Sequence, residues 1–454
     1  MIDYMALWMF PALLLFLLSG YPVAFGLGAT AVLFTLIGSD LLHGAGMPLP
    51  WDPLFSTARL NILPQRIFGS VMDNYTLVAV PFFVFMGVML EKSGLAEDLL
   101  RTMGRLFGAL RGGLAVAVVV VGALLAASTG VVGASVVTIS VLALPVMLKY
   151  GYDRGLAAGT VAASGTLGQI IPPSIVLIIL GDQMGVNVGD LFLGALVPGL
   201  VLSALYLVWV LVTAWVRPQA APALSGESDD FPMEHLALAV ARTLLPPLAL
   251  VAIVLGSLFA GIASPTEAGA MGAFGASVLA FANGRLTMAN VRAVAQSTVR
   301  LTSMVFVILV GATAFAVVFN AMEGNWLVED LLLAVPGGEA GFLAFVMLTI
   351  FVLGFFLDFI EISFIVVPLV APVAVGLGLD PLWFGVLIAM NLQTSFLTPP
   401  FGFSLFYLRG AAPPAIGTGE IYRGVMPFIG IQLLMLVVIV LFPGLVLWLP
   451  GLSG

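Results

Sequence analysis

The chain has 454 residues, 61% of them hydrophobic and 8% charged, with a mean hydropathy of +1.19. That leaves far too little polar surface to cover a soluble particle, so the sequence belongs in a bilayer. A net charge of −8 argues against nucleic acid, the lack of cysteine excludes disulfides, thiolate metal sites and thiol nucleophiles, and two histidines leave little for an imidazole site.

Windows of about 20 apolar residues, the length a helix needs to cross the hydrocarbon, set the elements together with the breakers between them. Helices are predicted near 4–20 and 22–38, where no basic n-region or A-x-A site marks a cleaved leader, and near 76–91. The basic stretch over 92–111 reads as an interfacial amphipathic arm. An apolar block from 113 to 148 is interrupted by ASTGVVGAS, and helices follow near 155–181 and 190–216. A polar loop, RPQAAPALSGESDDFPMEH, divides the halves. Beyond it come helices near 242–262, 265–283 and 300–321, a block over 342–377 interrupted by LDFIEIS, and helices near 381–408 and 426–449. The fold class is an all-α polytopic membrane protein with about ten to eleven transmembrane helices.

With the N-terminus outside, all but Arg59 and Arg66 of the 15 basic residues fall inside, the bias that membrane topology favours. This requires the interrupted blocks to return to the side they left. They are therefore read as re-entrant hairpins, each arm about half a full span, with both chain termini outside.

Sliding the first half by 227 positions aligns Pro145 with Pro372, Gly151 with Gly378, Asp153 with Asp380 and TLGQIIPPSIV with QTSFLTPPFGF. Looser matches pair YPVAFGLGATAVL with SPTEAGAMGAFGA and LAEDLL with LVEDLL. The first hairpin would enter from inside and the second from outside, which makes the halves inverted repeats. Broken helices in corresponding positions of such repeats point to a secondary transporter, because they present free backbone groups to substrate and ions near the midplane. Pro172-Pro173 and Pro399-Pro400 each remove two N–H donors and free carbonyls in the preceding turn.

The patches around these pairs supply neutral oxygens suited to a monovalent cation: Ser164, Thr166, Gln169 and Ser174 in the first half, Asn391, Gln393, Thr394, Ser395 and Thr398 in the second. The hairpin tips add Ser128, Thr129, Gly130, Gly133 and Ser135, and Asp358, Glu361 and Ser363. Carboxyls at membrane depth are expensive and so suggest function, with a structural hydrogen bond from Glu361 to the tip backbone as the alternative. Glu267 reads as part of a helix cap with Ser264 and Pro265, and Gly155, Gly159 and Ala162 as helix-packing surface. Neutral oxygens without a buried His or Lys relay favour sodium over proton coupling, and no other cofactor is expected. The absence of Cys, of H-E-x-x-H and of any membrane-depth His sets an intramembrane enzyme aside.

The segments GYPVAFGLG, PFFVFMGVMLEKSGLAEDLL, the run from GALLAASTGVVGAS through GQIIPPSIVLIILG, SPTEAGAMGA, and FLDFIEISFIVVPLVAPVA with TPPFGFSLFYL span nearly the whole chain. Together they resemble the large membrane subunit of tripartite ATP-independent periplasmic (TRAP) transporters, the DctM-like permeases. The resemblance implies an elevator-type sodium symporter of the bacterial inner membrane. It implies a small four-helix (DctQ-like) membrane subunit and a periplasmic (DctP-like) binding protein that delivers an organic acid. It implies a transport domain of hairpins and broken helices, 113–181 and 342–410, held by scaffold at 1–112, 182–341 and 411–454. Sodium would sit where each hairpin tip meets a broken helix. The first tip departs from the Ser-Gly-Ser run common in relatives, reading STGVVGAS, where backbone carbonyls could serve as ligands if the side chains do not. A stand-alone ion-coupled carrier of the same repeat design is the alternative.

Overall fold

The computed structural model describes residues 4–39, 57–129, 132–224 and 236–452, and among them it is helical with no strand. The first half runs α1 (Met5–Leu18), α2 (Val23–Leu36), α3 (Leu63–Ile67), α4 (Ala79–Lys92) and α5 (Leu95–Gly108). A hairpin follows, α6 (Gly113–Thr129) and α7 (Val132–Lys149), then the broken pair α8 (Arg154–Thr166) and α9 (Ile175–Met184), then α10 (Val188–Val216). The second half begins with α11 (Leu236–Phe259), α12 (Pro265–Ala282), α13 (Met288–Ala321) and α14 (Gly324–Leu333). Its hairpin is α15 (Gly338–Leu353) against α16 (Phe359–Ile365) and α17 (Val367–Gly376). The second broken pair, α18 (Pro381–Leu397) and α19 (Phe403–Ala411), leads to α20 (Thr418–Leu441) and α21 (Gly444–Leu447).

Residues that recur at the 227 offset play the same part twice. Gly151 and Gly378 take φ of +77° and +88° after the hairpins, a left-handed turn that disfavours any side chain. Asp153 and Asp380 then cap the broken helices: Asp153 accepts from Leu156 N–H at 2.8 Å, and Asp380 from Leu382 and Trp383 N–H at 2.9 and 3.1 Å. The expected box at Ser264 forms as well, with the Glu267 carboxylate accepting from Ser264 N–H at 2.8 Å.

Each half lends helices to the other. α2 lies along α13 and α12 along α4; α8 lies along α20 and α10 along α18; α7 meets α19 and α9 meets α17. In element order α2, α4, α7, α8, α9 and α10 hold the places of α12, α13, α17, α18, α19 and α20, so these contacts come in reciprocal pairs. Glycine permits the closest of them. A Cβ on Gly159 would strike the Gly424 carbonyl, and one on Gly424 the Gly155 carbonyl, which is the packing surface expected of this small-residue stretch.

Several boundaries differ from the sequence expectation. α13 starts at Met288, not near 300, because Thr287 caps it at Asn290 N–H (3.2 Å) and the polar turns that follow are good helix formers lying outside the apolar window. α20 covers 418–441 in place of 426–449, since Glu420 caps Gly417 N–H at 2.7 Å and Pro443 ends the helix early. The arms of the first hairpin have 17 and 18 residues, longer than half-spans. Among the described residues five helices (α7, α10, α11, α13 and α20) are by themselves long and apolar enough to cross a membrane, or up to eight spans if each bent pair counts once. The count falls below ten because the windows at 155–181 and 381–408 each cover two helices, and α1 and α2 have only 14 residues each. Outward faces carry exposed Phe25, Trp215, Phe274 and Leu434, side chains that suit lipid contact.

Candidate functional site

α8 tightens into a 3-10 turn at Leu167–Gln169 and regular helix resumes only at Ile175; α18 ends at Leu397 and resumes at Phe403. Pro172-Pro173 and Pro399-Pro400 occupy the gaps, and both pairs are joined by cis peptides. Side chains meet part of the freed backbone. The Ser174 hydroxyl donates to the Gln169 carbonyl at 2.8 Å, and the Tyr422 hydroxyl to the Pro400 carbonyl at 2.7 Å. Gly402 permits the second turn, because a Cβ there would lie 2.7 Å from the Phe396 carbonyl.

Five of the hydroxyls singled out in the sequence share one habit. Ser164, Thr166, Thr394, Ser395 and Thr398 each donate to a carbonyl three or four residues back in their own helix, at 2.6 to 2.9 Å. With the proton used in this way, only lone pairs remain to face a partner, which is what a hard cation requires. Asn391 ties its hairpin down, donating to the Met347 carbonyl of α15 at 2.7 Å. Thr166 and Gln393, one repeat length apart, meet through a long 3.4 Å contact from the Gln393 amide. Gln169 is fully buried with neither amide atom bonded, and the buried Gln393 Oε1 and Ser363 Oγ also lack partners. Such atoms are costly unless an ion or water meets them.

At the second hairpin the helix does not run through LDFIEIS. The turn occupies Gly354–Leu357, and Asp358 becomes the N-cap of α16, its carboxylate accepting from Phe359 N–H at 2.7 Å. Glu361 at N3 accepts from Asp358 N–H at 2.6 Å, the tip hydrogen bond weighed as its structural alternative. The two carboxyls are thus held together by a capping box and not by a continuous helical face. At the first hairpin Ser135 is buried on α7, and Gly133 lies under the Tyr407 ring, where a Cβ would approach to 2.8 Å. Gly130 and the side chains of Ser128 and Thr129 lie outside the described residues.

A cavity of about 160 Å³ lies where these parts converge. Val132 and Gly133 of the first hairpin and Asp358, Phe359 and Ile360 of the second contribute to its lining. Ile175 opens α9 there, Phe396 and Phe403 flank the second break, and Tyr407 of α19 adds a phenol. The remaining wall comes from α4 and α13, through Val84, Leu301, Met304 and Val305. Sequence reasoning missed Tyr407 and this wall, whose residues read as ordinary membrane-helix side chains. It also missed Gln432 and Tyr206, which bond each other at 2.8 Å beside Thr166. A buried amide in the apolar run of α20 was the available signal for that pair.

The model of the DctM component of tripartite ATP-independent periplasmic transporters matches residues 10–445. The chain is 30% identical to the C4-dicarboxylate TRAP transporter large permease protein DctM of Vibrio cholerae, over 95% of this chain and 94% of that protein. It is 31% identical to the protein of that name from Pseudomonas aeruginosa, over 88% and 92%. It is 28% identical to the ectoine TRAP transporter large permease protein TeaC of Halomonas elongata, over 96% and 97%. Among solved structures, the Alcanivorax borkumensis YdaH transporter shares the fold, with a TM-score of 0.66 and 18% identity over 93% of this chain and 98% of that one. The chain therefore belongs to the DctM family, the large, multi-pass membrane permease components of TRAP transporters.

Proposed function

We propose that this permease moves an organic acid into the cell in symport with sodium, by an elevator motion of its hairpins and broken helices against a scaffold. The observation that carries the proposal is the cavity of about 160 Å³ bounded on one side by both hairpins and both breaks and on the other by α4 and α13. Helices α7, α9 and α19 each begin in its lining, so their positive dipole ends favour a bound carboxylate. Sodium is assigned to the two junctions, Ser128–Ser135 with Ser164–Ser174 and Asp358–Ser363 with Asn391–Pro400. The outward lone pairs and the unbonded buried amide of Gln169 support that assignment.

The sequence division left α10 and α20 in the scaffold; we assign them to the moving body. What supports this is that α20 lies against α8 at backbone distance and that the Gln432 amide reaches Thr166 at 3.5 Å. Between this body and α4 the polar contacts include Thr138 with Glu91 at 3.1 Å, and on the loop before α4 Asn74 with Asp182 at 2.7 Å. A sliding boundary must break and remake such bonds.

The acid would be delivered by a periplasmic binding protein and the permease completed by a small membrane subunit. The isethionate relative from Oleidesulfovibrio alaskensis, named a DctMQ permease, is longer, and this chain covers 65% of it. Reconstituted with both partners in proteoliposomes, the permease should take up its acid only under an inward sodium gradient. Equal uptake driven by a proton gradient in sodium-free buffer would refute the coupling.

A further inference from the structure

We infer that the acid carried by this permease is a monocarboxylate with a compact apolar body, unlike the C4-dicarboxylates named for the Vibrio and Pseudomonas relatives. The inference rests on the carrier reading above and concerns the same cavity. Its size comes first: about 160 Å³ is the share of roughly five water molecules, enough for one small acid. Its charge comes second. None of the lining residues is Lys, Arg or His, and Arg300, next to Leu301 on α13, is exposed and outside the lining, so no cationic side chain lines the cavity to meet a second carboxylate. The one ionisable carboxyl in the lining, Asp358, is itself an acid.

The distribution of polarity comes third. Groups able to hold one carboxylate all lie on the side of the hairpins and broken helices: the first-turn N–H groups of α7, α9 and α19, and the Tyr407 hydroxyl. The opposite wall, Val84, Leu301, Met304 and Val305, offers only hydrocarbon and a thioether. An extended dicarboxylate that places one end among the donors presses its other charge against that wall, where desolvation without a partner is strongly unfavourable. A branched aliphatic tail gains from the same wall by burial.

The test is equilibrium binding by calorimetry to the purified permease with its small subunit, in sodium and without the binding protein, so that selection by the membrane part alone is read. The probes are 4-methylpentanoate and succinate, acids of matched size that differ in the second carboxylate. The branched acid should bind at least about tenfold tighter. Equal or tighter binding of succinate, or binding of neither, overturns the inference. Met304→Lys replaces one long flexible side chain by another, one turn after Arg300 on α13, where the stem can carry its charge toward the same end of the helix. It sets an ammonium on the apolar wall and should shift the ratio of the two affinities toward succinate by at least about tenfold. An unchanged ratio overturns the assignment of the wall. Should that variant fail to fold, Met304→Gln must weaken the branched acid while leaving succinate unchanged. Sodium-driven uptake by the complete system, measured with the acid its own binding protein captures, is independent of these outcomes: intact sodium dependence alongside a preference for succinate would sink the substrate class and leave the carrier standing.

Discussion

Asp358 and Glu361 are three positions apart and do different things. Both bond to the turn they sit in, but Glu361 reaches back to a backbone N–H whereas Asp358 also lines the cavity. Asparagine caps a helix about as well as aspartate, so Asp358→Asn removes a charge and leaves the cap. A charge beside a sodium ion in low dielectric is a strong contact. The substitution should therefore raise half-saturating sodium by about tenfold or more, the worth of one lost charge-assisted contact. Glu361→Gln keeps an acceptor for the Asp358 N–H and should be milder. Transport against sodium concentration for both variants checks this, and a wild-type curve from Asp358→Asn would make that carboxylate structural. The sequence exposed this pair because carboxyls are scarce at membrane depth. It could not show that Gly354–Leu357 would form the turn, since that stretch is as apolar as the helix before it.

At the scale of elements, what was legible came from residues that interrupt an apolar run. The proline pairs and the Gly–Asp pairs at 151/153 and 378/380 located the breaks and caps. The start of α20 was not legible from hydropathy, because Gly417 and Glu420 cap it inside a polar stretch that no window recovers. Neither was its partner. Nothing in the apolar pattern of α20 says that Gly424 faces α8, whereas Gly430 of the same helix has no atom within 4 Å of its Cβ position. Gly424→Ala should lower stability by about 1–3 kcal/mol through overpacking. Gly430→Ala should be neutral or slightly stabilising, as alanine is the better helix former. Thermal midpoints of the two variants in detergent give the comparison, and equal midpoints would contradict the α8–α20 contact.

For the whole molecule, the repeat and the membrane class were readable because duplication leaves a fixed offset and composition fixes the solvent. Which helices move together depends on which apolar faces meet, and hydropathy carries no information about that. Orientation rests on the basic residues alone. Gly226→Cys, in the loop between the halves and outside the described residues, should resist an impermeant thiol reagent added from outside and react once the inner face is opened. Labelling of intact cells would reverse the topology.

The reciprocal pairing of helices has a consequence for how the protein is made. When the ribosome has released only the first half, α4 has no α12, α2 has no α13 and α8 has no α20, so the largest surfaces of that half wait in the bilayer without their native neighbours. Small-residue faces such as Gly155–Gly159 are then open to any helix nearby, lipid being a poor substitute for a matching groove. Completion has to await the last long helix, α20, which closes against α8 and brings Gln432 to Tyr206. The fold is therefore an embrace finished from its C-terminal end, and a chain stopped before Thr418 would be inserted in the membrane but unassembled.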